Sequence, residues 1–169
     1  WVGTLVTDLQ QPILLVADDD KVEEVVTRLA RVGYDNAIGF LQGGFESWKK
    51  AGKEVDTIPT LSADALAVIK ESDPETFILD ARRKSEYDAE HILDAVNIPL
   101  DYLNDNMQSV PKDKPVYVHC AGGYRSMIYC SILKARGFTN LIDVQGGFKA
   151  IKETGKFRIT DYVCPTTML

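Results

Sequence analysis

The stretch Pro115-Val-Tyr-Val-His-Cys-Ala-Gly-Gly-Tyr-Arg-Ser126 limits the possible folds more than any other part of the chain. Val116, Tyr117 and Val118 form a short β-branched and aromatic run, which predicts a buried strand. Cys120 falls where that strand stops. Gly122 and Gly123 permit a tight turn that brings backbone N–H groups inward. From about Arg125 the pattern turns helical, with Met127, Ile128, Ile132 and Leu133 near one face. The order strand, thiol, turn and helix sets a sulfur among amide donors at the positive end of a helix dipole. Such positions lower a cysteine pKa from about 8.5 to roughly 3.5–7.5. Arg125 adds a fixed positive charge and a planar donor fork. The plainer reading makes Cys120 one more small buried hydrophobe. The coincidence of strand end, Gly-Gly turn and arginine favours a thiolate nucleophile that meets an anionic substrate.

Composition narrows the rest. The chain has 169 residues, of which 45% are apolar, enough for one medium domain or a domain plus a fragment. Its formal charge is −6 and no basic stripe is present, which argues against a nucleic-acid partner. No apolar run approaches a membrane span. The three cysteines are widely spaced and odd in number. A disulfide framework or a zinc site is not expected, and a reducing compartment, the cytoplasm, fits better. Cys130 reads as a core residue and Cys164 as a tail residue. His119 precedes the thiol and points to the other side of its strand, so it reads as structural rather than as a base.

Taken in order, Trp1 to Leu9 has helical spacing, and Ile13 to Ala17 is a buried strand. Asp18, Asp19 and Asp20 open a helix with Val22, Val25, Val26 and Leu29 on its core face. Ala37 to Leu41 is a second strand, and Gly43-Gly44 leads into a helix with Phe45 and Trp48. That order recurs about one hundred residues later. Gly33-Tyr-Asp-Asn-Ala-Ile matches Gly137-Phe-Thr-Asn-Leu-Ile, and Gln42-Gly-Gly-Phe45 matches Gln145-Gly-Gly-Phe148. Opposite Cys120 falls Ala17 or a neighbour, and opposite the glycine loop fall the three aspartates, so the first copy holds no nucleophile. A boundary is placed near Asp56. Ser62 caps a helix with Leu61, Ala65, Leu66 and Ile69 on its face. Phe77 to Asp80 is a strand with Arg82, Arg83 and Lys84 at its carboxyl end, where ligands of open α/β sheets collect. Asp80 and Arg82 are expected to brace the site. Ala95 to Ile98 is a short strand, Asp101 to Ser109 a short helix and Leu141 to Val144 the last core strand. Phe157 to Val163 is a candidate edge strand.

These residues resemble the rhodanese family of sulfurtransferases. The resemblance rests on the loop Cys120 to Arg125, on Phe77-Ile-Leu-Asp-Ala-Arg82, Glu86-Tyr87, His91-Ile92 and Asn97-Ile98-Pro99, and downstream on Gly137-Phe138, Asn140-Leu141 and Gln145-Gly-Gly-Phe148. It covers roughly Asp56 to Gly155. Two departures stand out. Glu90 replaces a usual glycine and Leu93-Asp94 a usual Pro-Gly, in a loop placed away from the thiol. The resemblance implies an open parallel sheet with helices on both faces. It divides the chain into residues 1–56, a partial inactive copy, and residues 57–169, a complete domain with a C-terminal tail. His91 becomes a loop anchor.

The resemblance also implies a chemistry that needs no metal or organic cofactor in this chain. Cys120 takes a sulfur from thiosulfate or a low-molecular-weight persulfide and passes it to a thiol, sulfite or cyanide. The amides of Ala121, Gly122, Gly123, Tyr124 and Arg125 would hold the terminal sulfur, with Asp80, Arg82 and Ser126 in support. Four residues lie between Cys120 and Arg125, against five in related phosphatases and arsenate reductases, the alternative on this scaffold. A redox-sensing or sulfur-binding module without turnover is the other alternative. The tandem of an inactive and an active copy also resembles the end of fusions with a metallo-β-lactamase-fold persulfide dioxygenase. That implies an upstream iron domain exchanging sulfur with Cys120.

Overall fold

The computed structural model describes residues 1–164; residues 165–169, the end of the C-terminal tail, lie outside the described residues. The chain divides into two units, Trp1–Thr57 and Ile58–Leu169. In the first, helix α1 (Val2–Leu5) precedes strand β1 (Ile13–Leu15), helix α2 (Val22–Ala30), strand β2 (Ala37–Phe40) and helix α3 (Gly44–Lys50). The two strands pair in parallel, with Ile13 opposite Ala37. Asp19, Asp20, Glu23 and Glu24 crowd the start of α2, where carboxylates complement the helix dipole. Little of this unit is buried. Leu15 and Tyr34 are, while Leu14, Val16, Ile38 and Phe40 stand exposed. Val22, Val25 and Leu29 are half-buried and Val26, expected on the core face, is exposed.

The second unit holds strands β3 (Thr60–Leu61), β4 (Phe77–Asp80), β5 (Val96–Asn97), β6 (Val116–His119) and β7 (Leu141–Val144). Its helices are α4 (Ala63–Ser72), α5 (Lys84–Ala89), α6 (Leu103–Asn106), α7 (Tyr124–Ala135) and α8 (Gly147–Thr154). The sheet runs β3-β7-β6-β4-β5 and every neighbouring pair is parallel. All four residues of β6 are buried, as a central parallel strand requires. Side chains alternate across it. Tyr117 joins a cluster with Ala63 and Leu66 of α4 and Phe148 and Ile151 of α8. Val116 and Val118 face the other way, where α7 packs on β6 and β7.

Several expectations are corrected. The helical spacing at the amino terminus yields one turn only, because Val6 is already extended. The α7 core face is Ser126, Tyr129, Cys130 and Leu133, spaced i, i+3, i+4, i+7, whereas Met127 is exposed. Of the expected apolar stripe only Leu133 is fully buried, because the core face includes a serine and a cysteine. Ala65 is exposed, and Ala63, Leu66 and Ala67 form the buried face of α4; Ser62 does cap it, accepting from Ala65 N–H at 3.2 Å. Leu61 belongs to β3, a strand with no periodicity of its own, which docks through Asp143 N–H to Pro59 O and Gln145 N–H to Leu61 O, both 2.9 Å. Phe157 to Val163 makes a single antiparallel bridge, Ile159 to Ile92, and no strand. Its amides serve a loop instead: Thr160 N–H donates to His91 O and Val163 N–H to Ala89 O.

The start of α8 lies against the thiol loop. Phe148 N–H donates to Cys120 O at 2.7 Å and Lys149 N–H to Ala121 O at 3.2 Å. A Cβ on Gly147, where φ is +59°, would sit 2.4 Å from Cys120 O and 2.8 Å from Ala121 C. Gly147→Ala should therefore cost about 3 kcal/mol or more through clash plus backbone strain. Gly155→Ala, at a similar φ with open space around it, should cost only about 1 kcal/mol. Urea unfolding of both variants checks this, and equal losses would contradict it.

Candidate active site

Cys120 sits one residue beyond β6 and is 1% exposed. Gly123, with φ at +107°, turns the chain into α7 and aims its own N–H at the sulfur, 3.1 Å away. The Ser126 hydroxyl lies 3.5 Å from the same sulfur. Burial pushes the Cys120 thiol up. Hydrogen bonds from the Ser126 hydroxyl and from the amides of Ser126, Gly123 and Gly122 outweigh it, so the thiol ends below its ordinary value. The Ala121 and Cys120 carbonyls point away, toward α8. Ala121 is exposed, and the Tyr124 side chain is 70% exposed.

Arg125 lies on the first turn of α7, and its fork is engaged. Nη1 and Nη2 meet the two carboxylate oxygens of Glu86 at 2.5 and 2.8 Å. Glu86 is itself held by the start of α5, accepting from Arg83 N–H at 3.2 Å. The Arg125 hydrogen bond, working against burial, holds the Glu86 carboxyl below its ordinary value. Little in the local sequence announces this partnership. The only signal for it is an acid three positions after Arg83, because Glu86 and Arg125 are far apart in sequence.

Asp80 and Arg82 meet at the end of β4, both buried. Arg82 Nε and Nη2 donate to the Asp80 carboxylate at 2.6–3.0 Å, Nη2 also reaches Glu90 O at 2.8 Å, and the guanidinium lies 3.9 Å over the Phe148 ring. Asn97 Nδ2 ties the Asp80 and Arg82 carbonyls together, 2.9 Å from each. His119 is fully buried on this side of the sheet, stacked 6.0 Å from Phe148 and 3.8 Å from Asp80. Burial holds it below its ordinary value despite Asp80, so it is neutral. His91 stacks on Tyr87 at 3.8 Å and binds the tail through Thr160. Lys84 pairs with Asp88. Asp94 adopts φ +69°, a left-handed conformation, at the position of a glycine in the resembled pattern.

A pocket of about 560 Å³ opens beside the loop, lined by Arg82, Glu86, Glu90, Ala121, Phe148 and Lys149 among others. Glu90 thus lies next to the thiol loop, in contrast to the sequence expectation that its loop is remote. Its carboxylate pairs with Lys152 at 2.7 Å. Among the described residues no three His, Cys, Asp or Glu side chains are grouped to hold a metal ion. No helix among them is long and apolar enough to cross a membrane.

Comparison with known proteins matches residues 62–154 to the rhodanese-like domain. The Bacillus subtilis protein YqhL, uncharacterised, is 38% identical over 72 residues, 43% of this chain and 57% of its own length. The putative sulfur carrier protein YrkF of the same organism is 30% identical over 110 residues, 65% of this chain and 58% of the relative. The chain therefore spans little more than half the length of these two relatives. The putative sulfurtransferase YtwF, also from Bacillus subtilis, is 33% identical over 93 residues, 55% of this chain and 89% of the relative. Among solved structures, a rhodanese-like domain protein from Staphylococcus aureus aligns with a TM-score of 0.52 at 32% identity, covering 56% of this chain and 91% of that one.

The Glu86–Arg125 pair yields a pH prediction. Because the folded Glu86 carboxyl lies below its unfolded value, the pair stabilises fully above the unfolded pKa and ceases to as pH falls through the folded one. Glu86 is about one-third exposed, so Glu86→Gln should cost at most about 1 kcal/mol near neutrality. That gap should close in acid. Urea unfolding at several pH values would contradict this if the gap stayed constant.

Proposed function

Because this chain belongs to the rhodanese-like domain family, we propose that it is a sulfurtransferase whose Cys120 carries sulfane sulfur as a persulfide. The Cys120 thiolate attacks the outer sulfur of thiosulfate or of a low-molecular-weight persulfide. The donor's S–S bond breaks, sulfite or a thiolate leaves with the electron pair, and Cys120 holds one added sulfur. A thiol, sulfite or cyanide then attacks that sulfur and restores the thiolate. The observation that carries this reading is the sulfur lodged among the Gly123 amide and the Ser126 hydroxyl at the start of α7. The amides of Gly122, Gly123 and Ser126 converge on it, and these would hold the terminal sulfur. Arg125 contributes charge while its fork is held by Glu86, and Asp80 with Arg82 keeps the β4 end rigid beneath the loop. The pocket of about 560 Å³ has room for a persulfide larger than thiosulfate. One observation favours a second reading, a sulfur-binding or redox-sensing module without turnover: Cys120 is 1% exposed.

Residues 1–56 enter the proposal as a partial copy without catalytic function, and residues 57–169 as the working domain. Support comes from recurrent contacts. Ile13 N–H donates to Asn36 O as Val116 N–H does to Asn140 O, each at 2.9 Å. The Asn36 and Asn140 side chains donate to Gln10 O and Lys114 O at 2.7 and 2.5 Å. A Cβ on Gly44 would meet Ala17 O at 3.0 Å, just as one on Gly147 would meet Cys120 O. Alanine thus stands in the place of the thiol. The Asp19 carboxylate accepts from Gly43 N–H at 2.8 Å, where an anion would otherwise find a donor. A persulfide dioxygenase domain in the same polypeptide is a fitting sulfur source, and the cytoplasm keeps such a thiol reduced.

Incubation with thiosulfate and no acceptor should add the mass of one sulfur to Cys120, as located by peptide mapping, and cyanide should remove it. Cys130→Ser and Cys164→Ser should still gain that mass and Cys120→Ser should not. Sulfur found on Cys164 would overturn the proposal. Replacing Asp18, Asp19 and Asp20 together by alanine should leave turnover within about tenfold, roughly 1.4 kcal/mol. A larger loss in a folded variant would contradict an inert first copy.

A further inference from the structure

Most of the charge that lines the pocket beside the thiol loop is committed to partners. Arg82 is held by Asp80 and Glu90 O, and Glu86 by Arg125. Glu90 is held by Lys152, whose Nζ lies 2.8 and 2.7 Å from its two carboxylate oxygens. Two groups remain. Lys149 and Glu153 both line the pocket, and among the described residues neither side chain has an ion-pair or hydrogen-bond partner.

Their placement is specific. Lys149 N–H donates to Ala121 O at 3.2 Å, which fixes this lysine beside the residue that follows the thiol. Glu153 lies one helical turn further along α8 on the same face, with about 5–6 Å between the two Cβ atoms. Both are exposed. Residues four apart on a helix can neutralise each other, but here the lysine precedes the glutamate. That order opposes the helix dipole and is the weaker one. The pocket also carries uncharged surface from Ala89, from the Phe148 ring and from Tyr162, whose tail is anchored by Val163 N–H on Ala89 O.

A free cation beside the loop and a free carboxylate one turn away complement a ligand that bears both charges on a small frame. We propose that Lys149 and Glu153 recognise an amino-acid or short-peptide thiol, Lys149 taking its carboxylate and Glu153 its ammonium. This class of thiol is then the preferred sulfur acceptor, and its persulfide the preferred donor. The inference rests on the persulfide chemistry of the proposed function. The bound thiolate attacks the outer sulfur of the Cys120 persulfide and forms a new S–S bond. The bond from that sulfur to Cys120 breaks, Cys120 keeps the electron pair as thiolate, and the acceptor leaves as a persulfide. Thiosulfate has no ammonium and engages Lys149 alone.

The test loads Cys120 from thiosulfate in the full chain and measures the rate of sulfur loss to four thiols. These are cysteine, 3-mercaptopropanoate (cysteine without its ammonium), cysteamine (cysteine without its carboxylate) and ethanethiol, which has neither group. Each rate is divided by the same protein's rate with ethanethiol, so intrinsic thiol reactivity cancels when variants are compared. Lys149→Gln should lower the relative rates of cysteine and 3-mercaptopropanoate about threefold, the size of an exposed ion pair, and should not lower that of cysteamine. Glu153→Gln should lower those of cysteine and cysteamine about threefold and not that of 3-mercaptopropanoate. If sulfur transfers while these relative rates stay as in the wild type, the inference is overturned and the sulfur-transfer reading stands. A second measurement needs no transfer. S-methylcysteine, which cannot accept sulfur, should perturb the Lys149 and Glu153 side-chain NMR signals of the wild-type protein at millimolar concentration. Unperturbed signals overturn the inference. If Cys120 takes up no sulfur yet S-methylcysteine perturbs both side chains, the recognition site holds and the sulfur-transfer reading fails.

Discussion

The contact on which the rest depends is the docking of the α8 start onto the carbonyls of Cys120 and Ala121. Peptide groups carry a donor and an acceptor on opposite sides. With the Cys120 and Ala121 carbonyls engaged by Phe148 and Lys149 amides, the loop is oriented so that later amides turn toward the sulfur. The Gly147 position makes that approach possible, since any Cβ there would overlap Cys120 O. A distant Gly-Gly-Phe motif and the thiol loop are thus two halves of one device. The lowered position of the Cys120 thiol comes from these donors, while His119 is buried, neutral and on the other face.

Charge around the loop is largely committed to structure. Arg82 is held by Asp80 and Glu90 O, Arg125 by Glu86, and Lys152 by Glu90. Buried or half-buried pairs of this kind fix geometry more than they add stability. They hold the ends of β4 and α5 and the first turn of α7 in register around Cys120. Arg125 acts here as a tether between α7 and α5 that also leaves positive charge near the thiolate.

Much of the second unit was legible in the sequence because its signals are local. The Val116 to Val118 run, the Gly-Gly turn and the Ser62 cap each announce themselves within a few residues. What was missed depends on tertiary partners. β3 is defined by pairing with β7, the buried stripe of α7 runs through Ser126 and Cys130 rather than through its most apolar residues, and Glu86 finds Arg125 only once the chain is folded. Asp143 looks like any strand aspartate until β6 and α7 enclose it. Asp94 shows the reverse case, a sequence departure whose backbone still takes the left-handed conformation.

The central claim is that the donors of the loop, held by α8, form the seat for a transferred sulfur. The most direct test is a crystal structure of the protein after reaction with thiosulfate. The account predicts one extra sulfur on Cys120, its terminal atom within about 3–4 Å of the Gly122 and Gly123 amides and the α8 contacts to Cys120 O and Ala121 O intact. A terminal sulfur turned away from those amides, or a loop released from α8, would contradict it.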